Sequence, residues 1–229
     1  AGLRLFLDHG ADVNWLIDRG QPRGWRPLHF AIDRNRSATI IGMLLDAGAD
    51  PNLPDANGLR AYELATRLGH AQAASLLLER GASGTLTPTE AILAAIMSGD
   101  EAAAKRLLSG NPRAFVDSLS PQQLQALPRA AANGNLRAVR LMLDLGFDID
   151  IRGSWGGSAI HQAAWHGHVD VVRLLIARGA RLDVKQDFGG DALSTAIHGA
   201  NHGGHDNGPA IVELIASTMK RGRESFPGE

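Results

Sequence analysis

Three histidines and an aspartate near the C-terminal end, His198, His202, His205 and Asp206, are the residues whose types and spacing could do chemistry. Imidazole nitrogens and carboxylate oxygens ligate zinc and other divalent ions, and such a set with one open position can activate water. The stretch that carries them, HGANHGGHDNG (His198–Gly208), is interrupted by Gly199, Gly203, Gly204 and Gly208. It reads as a loop, with no neighbouring groups to hold the ligands in place. A metal-binding or metal-dependent site here is therefore the alternative reading. The leading reading assigns the chain no metal, no cofactor and no catalytic residue. No phosphate-cradling glycine motif, serine nucleophile elbow or HExxH pair occurs elsewhere, and an enzyme is not expected.

Composition points the same way. Aromatic residues make up 5% of the 229 residues, so a core must be built from Leu, Ile, Val and Ala, which favours close-packed helices. The formal net charge is -1, and the basic cluster Lys220, Arg221 and Arg223 lies in a polar tail. No nucleic-acid partner is expected from such a balance. The absence of cysteine excludes disulfides and thiolate zinc sites and fits a reducing cytoplasm. The longest clear apolar run, Ala91 to Met97, is far short of the roughly 18 residues a membrane span needs. No membrane partner is expected.

The elements that must position any site repeat along the chain. FLDHGAD (Phe6–Asp12), LLDAGAD (Leu44–Asp50), LLLERGA (Leu76–Ala82), MLDLGFD (Met142–Asp148) and LLIARGA (Leu174–Ala180) share one phrase. Their glycines, Gly10, Gly48, Gly81, Gly146 and Gly179, step by 38, 33, 65 and 33 residues. A second marker, an alanine inside a short helical stretch, recurs at Ala31, Ala65, Ala95, Ala130, Ala163 and Ala196 with the same period. Gly69, Gly99, Gly134 and Gly167 then close a first helix in each unit. Second helices follow with apolar spacing near 3.6, as in Val169, Val172, Leu175 and Ile176. Pairs this short cannot bury their apolar stripe alone, so neighbours must stack.

The period of about 33 residues and the wording resemble the ankyrin repeat, a β-turn and two helices opening on T-P-L-H-x-A. SAIHQAAWHGHVDVVRLLIARGA (Ser158–Ala180) is the best copy, and RPLHFAI (Arg26–Ile32) keeps Pro-Leu-His. The resemblance implies an all-α repeat solenoid of helix-turn-helix pairs with β-hairpin loops, some of them degenerate, and is similar in wording to bacterial ankyrin-repeat proteins. It also implies that His29 and His161 hydrogen-bond between repeats.

One domain over 1–229 is expected, with an incomplete first repeat at 1–14 and upstream residues to complete it. Repeats follow at 25–52, 58–84, 88–110, 121–150, 156–185 and 189–219, then a frayed tail at 220–229. The third and fourth units lack the hairpin wording. Their first helices open instead on capping boxes, Thr87-Pro88-Thr89-Glu90 and Ser120-Pro121-Gln122-Gln123. The stretch 111–120 reads as an irregular crossover.

The resemblance further implies a concave surface lined by hairpin tips and by the two residues before each helix-closing glycine. Mapped residue by residue, the partner-binding candidates are Arg23, Trp25, Asp33, Arg34, Arg67, Trp155, Trp165, His166 and Phe188, and Met97 falls in the same class. Trp and Arg are over-represented among interface hot spots. The cluster of Trp155, Trp165, His166 and Phe188 is the expected binding centre. The function expected is that of a monomeric, cytoplasmic adaptor that binds a protein partner.

Overall fold

A computed structural model gives the fold and describes residues 2–17, 24–84, 86–108 and 110–224. Among them there are helices and turns but no strands. The chain divides into two compact units, 1–98 and 99–229. The first holds α1 (Gly2–Asp8), α2 (Pro27–Asp33), α3 (Ala38–Asp46), α4 (Ala61–Leu68), α5 (Ala71–Glu79) and α6 (Pro88–Ser98). The second holds α7 (Glu101–Leu107), α8 (Pro112–Asp117), α9 (Pro121–Leu124), α10 (Ala126–Ala132), α11 (Leu136–Asp144), α12 (Ala159–Trp165), α13 (Val169–Ala177), α14 (Ala192–His202) and α15 (Gly208–Glu224).

Each unit is two layers of helices. In the first, α2, α4 and α6 stack side by side, with α3 against α5 behind them. In the second, α10, α12 and α14 form one layer and α11, α13 and α15 the other. The alanine markers explain the inner layer. Ala65, Ala130, Ala163 and Ala196 are fully buried where first helices meet, and a larger side chain there would push the helices apart. Branched residues fill the space between layers: Ile32, Ile41 and Leu77 in one unit, Val172, Leu175, Ile211 and Ile215 in the other.

Both capping boxes form. The Thr87 hydroxyl and backbone amide meet the Glu90 carboxylate, and Ser120 exchanges hydrogen bonds with Gln123. The first helix of the fourth repeat is broken into α9 and α10 at Gln125. In the repeat at 25–52 the position of the helix-closing glycine is taken by Asn35, with φ of 47°. Asparagine tolerates that left-handed conformation better than most residues.

The structure differs from the sequence reading in four places. The hairpin loops are turns without strand ladders; Asp55 N–H bonds to the Leu59 carbonyl, Gly153 to Gly157 and Gln186 to Gly190. The stretch 111–120 is not irregular: it contains α8, capped by the Asn111 side chain on the Arg113 amide. His198–His202 is not loop but the last turn of α14, which continues past the residue where α12 stops. The tail beyond 219 is helical through Glu224, and 225–229 lie outside the described residues.

Candidate partner-binding face

Two aromatic groups stand out in the second unit. Trp155 and Phe188 occupy the tips of successive hairpins, each three residues before the N-cap of the next first helix, Ser158 and Asp191. The hairpins are tied together by the Asp187 N–H bonding to the Trp155 carbonyl at 3.1 Å. Arg152 adds to the tie by donating to the carbonyls of Gly156 at 2.9 Å and Lys185 at 2.7 Å. The two rings lie 5.7 Å apart at 35°, and Trp155 is 68% and Phe188 77% exposed. Trp155 has φ of 58°, a left-handed conformation that disfavours a bulky side chain.

The second group is a stack. Trp165, half-buried at the C-terminal end of α12, lies 5.0 Å from the His198 ring, which lies 4.4 Å from His202. His198 holds the same register in α14 as Trp165 in α12, and the extra turn of α14 adds His202 to the stack. His166, at the C-cap of α12, has its ring 6.2 Å from that of His168. Its pKa is held below the usual imidazole value, first by desolvation and then by the nearby His168 and His205.

The candidates in the first unit are less prominent. Trp25 is half-buried, and its carbonyl accepts from the Ile17 amide at 2.8 Å. Asp33 and Arg34 pair with each other at 3.8 Å, and the Arg34 guanidinium sits 5.4 Å from the Phe30 ring centroid. Arg67 is half-buried. Met97 is not on a binding face at all: it is buried, and its side chain packs on Gly69. Arg23 lies outside the described residues.

His205 and Asp206 do not join the stack as ligands. The His205 Nε2–H donates to the Trp165 carbonyl at 3.0 Å, and Asn207 donates to the Gly167 carbonyl at 3.0 Å. Among the described residues no group of three or more His, Cys, Asp or Glu is placed to hold a metal ion.

His29 and His161 are structural. Their Nε2–H groups donate to the carbonyls of Leu59 at 2.8 Å and Val184 at 3.0 Å, each in the loop before the next repeat. His161 Nδ1 accepts from Ser158, which fixes the tautomer. Burial pushes the pKa of both rings down.

A second set of histidines also bridges repeats, and two of them, His70 and His168, carried no role in the sequence reading. His70, His168 and His205 each precede a second helix and reach back to a carbonyl of the preceding first helix: Ile32, Ala132 at 2.8 Å, and Trp165. Gly-His at 69–70 and 167–168 is the signal that could have found two of them. Asparagines do the same at the other end of the repeat. Asn14 donates to the Gly48 carbonyl and accepts from the Asp50 amide; Asn52 donates to the Gly81 carbonyl and accepts from Ser83.

Comparison with known proteins identifies the family. The family model for ankyrin repeats (3 copies) matches residues 2–87 and 91–187. An ankyrin repeat-containing protein of Treponema pallidum (strain Nichols) is 30% identical over 146 residues, 63% of this chain and 38% of that protein. A Danio rerio protein named as a palmitoyltransferase, ZDHHC13, is 24% identical over 69% of this chain and 24% of its own length. The human 2-5A-dependent ribonuclease is 39% identical over 67 residues, 29% of this chain and 8% of that protein. The chain thus spans well under half the length of these relatives. Among solved structures, the ankyrin repeat domain of Bcl-3 aligns with a TM-score of 0.40 and 23% identity over 84% of this chain and 85% of that one. With its helix pairs, its closing glycines and a family match over most of its length, the chain belongs to the ankyrin repeat family.

Proposed function

We propose that the chain is a non-catalytic protein-interaction module that captures a protein partner on the hairpin tips and first helices of its second unit. Trp155 carries the reading. A left-handed backbone costs a non-glycine residue roughly 1–2 kcal/mol, which the ring pair with Phe188 about offsets, yet the indole itself stays 68% exposed. The neighbouring Phe188 ring is just as open. Exposed aromatic anchors of this kind are what binding surfaces present, since such rings are buried only against a partner. Trp165 extends the surface, with its exposed edge beside His198.

The same reading makes the protein a monomeric adaptor in the cytoplasm of a bacterium. The cysteine-free composition and the Treponema relative support that setting. Among the described residues no helix is long and apolar enough to cross a membrane. The test compares partner capture by the wild-type chain and a Trp155→Ala variant whose melting is recorded in parallel. Loss of capture by a folded variant is expected; unfolding of the variant would make Trp155 structural.

A further inference from the structure

The turn between α14 and α15 is tied to the end of α12 by two side chains. The His205 Nε2–H donates to the Trp165 carbonyl and the Asn207 carboxamide to the Gly167 carbonyl, each at 3.0 Å. We propose that His205 is an acid-sensitive latch: a proton on its second nitrogen opens the tie, and the Trp165 surface lets go of the protein partner. The latch stands on the geometry of the ring; release of a partner rests on the reading that this face binds protein.

The ring leaves that proton no place. Because Nε2 donates, Nδ1 is the unprotonated nitrogen. It is buried and meets no hydrogen-bond partner among the described residues. Backbone closes on it from two sides: a Cβ on Gly167 would lie 2.5 Å from Nδ1, and one on Gly203 would lie 2.7 Å from Nε2. With one nitrogen bonded and the other shut in, neither is available to a ligand. A second proton would be a buried N–H without an acceptor, a cost that water relieves once the ring swings out. His168 makes the equivalent bond to the Ala132 carbonyl, but its Nδ1 is not buried in this way.

Proton uptake therefore goes with opening. The tie is complete at neutral pH and is lost as pH falls through the range in which an open imidazole titrates, near about 6.5. The surroundings push the same way. His166 and His168 flank Gly167, and His198 and His202 stand on α14. Among the described residues no carboxylate bonds to any of these five imidazoles. The acids on the adjoining elements are Asp206 and Glu213, both exposed, and Asp170, which pairs with Arg173. Charge accumulating on the imidazoles favours their separation. The His198 charge works the other way, through the face of the Trp165 indole. His205 lies three residues beyond His202, so opening the turn frees the end of α14 that stacks over Trp165.

The test is NMR of the whole 229-residue chain, labelled with 15N, between about pH 7.5 and 5. The imidazole nitrogens report the charge of His205. Opening is read from exchange of the Gly203 and Ile211 amides, which bond to the carbonyls of Gly199 and Asn207. Corrected for its intrinsic pH dependence, that exchange is expected to quicken about tenfold or more beyond that of Val172 and Leu175 in the core, in step with the His205 charge. His205→Gln keeps an N–H for the Trp165 carbonyl and cannot be charged, so the extra quickening disappears; His168→Gln leaves it in place. A His205 ring that charges while Gly203 and Ile211 stay protected, or a quickening that survives in His205→Gln, overturns the latch. If His205→Gln does not fold, the wild-type nitrogens and amides decide alone. A partner held at pH 7.5 is expected to leave wild type at pH 5 and to stay on His205→Gln; staying on both overturns the release. Absence of any capture by wild type counts against the interaction reading, whereas the latch is read without a partner.

Discussion

The His205 ring occupies the space into which a side chain on Gly167 would project: a Cβ there would lie 2.5 Å from Cγ and Nδ1 of the imidazole. Gly167 also has φ of 79°, so two separate requirements fall on one residue. His168 stands in the same relation to Gly134, at 2.6 Å. Glycine ends the first helix, and the histidine of the next repeat uses the room to reach the carbonyl beside it.

Gly167→Ala should therefore be more damaging than Gly179→Ala. Gly179 has φ of 85°, but a Cβ there would meet nothing within 4 Å. Its substitution adds backbone strain alone, about 1 kcal/mol. Gly167→Ala adds displacement of a packed ring, for a total of about 2–4 kcal/mol. Chemical denaturation of the two variants checks this, and equal losses would show that the close approach is relaxed at no cost.

The asparagines between repeats make a second comparison. Asn52 needs both its NH2 and its oxygen, for the Gly81 carbonyl and the Ser83 amide. Asn52→Asp removes the donor and sets a carboxylate against a carbonyl, with an expected loss of about 1–2 kcal/mol. In the second unit Asp150 holds the equivalent place and accepts from the Arg181 amide at 3.1 Å, but an ionised carboxylate has no proton to donate. Asp150→Asn supplies the missing donor and should stabilise by about 0.5–1 kcal/mol. Opposite shifts in the denaturation midpoint are the result to look for.

Acid should weaken the fold through its buried imidazoles. The pKa values of His29, His70 and His161 are all pushed down by burial, so the folded state resists a proton that the unfolded state takes up near pH 6.5. Their stabilisation is complete above that pH and is lost progressively as pH falls from 6.5 through the folded values. His161→Gln should lower stability at pH 7, where the bond to Val184 is weakened, yet flatten the decline between pH 6.5 and 5. Urea unfolding across that range tests the sign; an unchanged slope in the variant would remove His161 from the account.

Much of this was legible in the sequence, for a physical reason. A repeat writes the same packing problem several times, so Ala65, Ala130, Ala163 and Ala196 and the closing glycines report the inner layer without any structure. What was not legible depends on contacts that do not recur. Glycines at 199, 203 and 204 suggested a loop, but Gly199 is helical and buried, and it is glycine because a Cβ there would lie 2.9 Å from the Trp165 carbonyl oxygen. That close approach is invisible in the local pattern, and so is the extra turn of α14 that adds His202 to the Trp165–His198 pair. Met97 was misplaced for a similar reason: its register matched an exposed position, but Gly69 leaves a hollow that the thioether fills.

Trp155→Gly separates folding from binding. Glycine relieves about 1–2 kcal/mol of left-handed strain, while loss of the ring pair with Phe188 removes about 0.5–1.5 kcal/mol. The two nearly offset, and thermal unfolding of the variant should match wild type within about 1 kcal/mol. Trp165→Ala, by contrast, removes a half-buried indole from under His198 and should lower stability measurably.

The central claim is best met by affinity capture from a lysate of the source cell, with wild type and Trp155→Gly immobilised side by side. The account expects a protein retained by wild type and lost from the equally stable variant. Equal retention by both would contradict it and move the binding surface away from the Trp155–Phe188 tips.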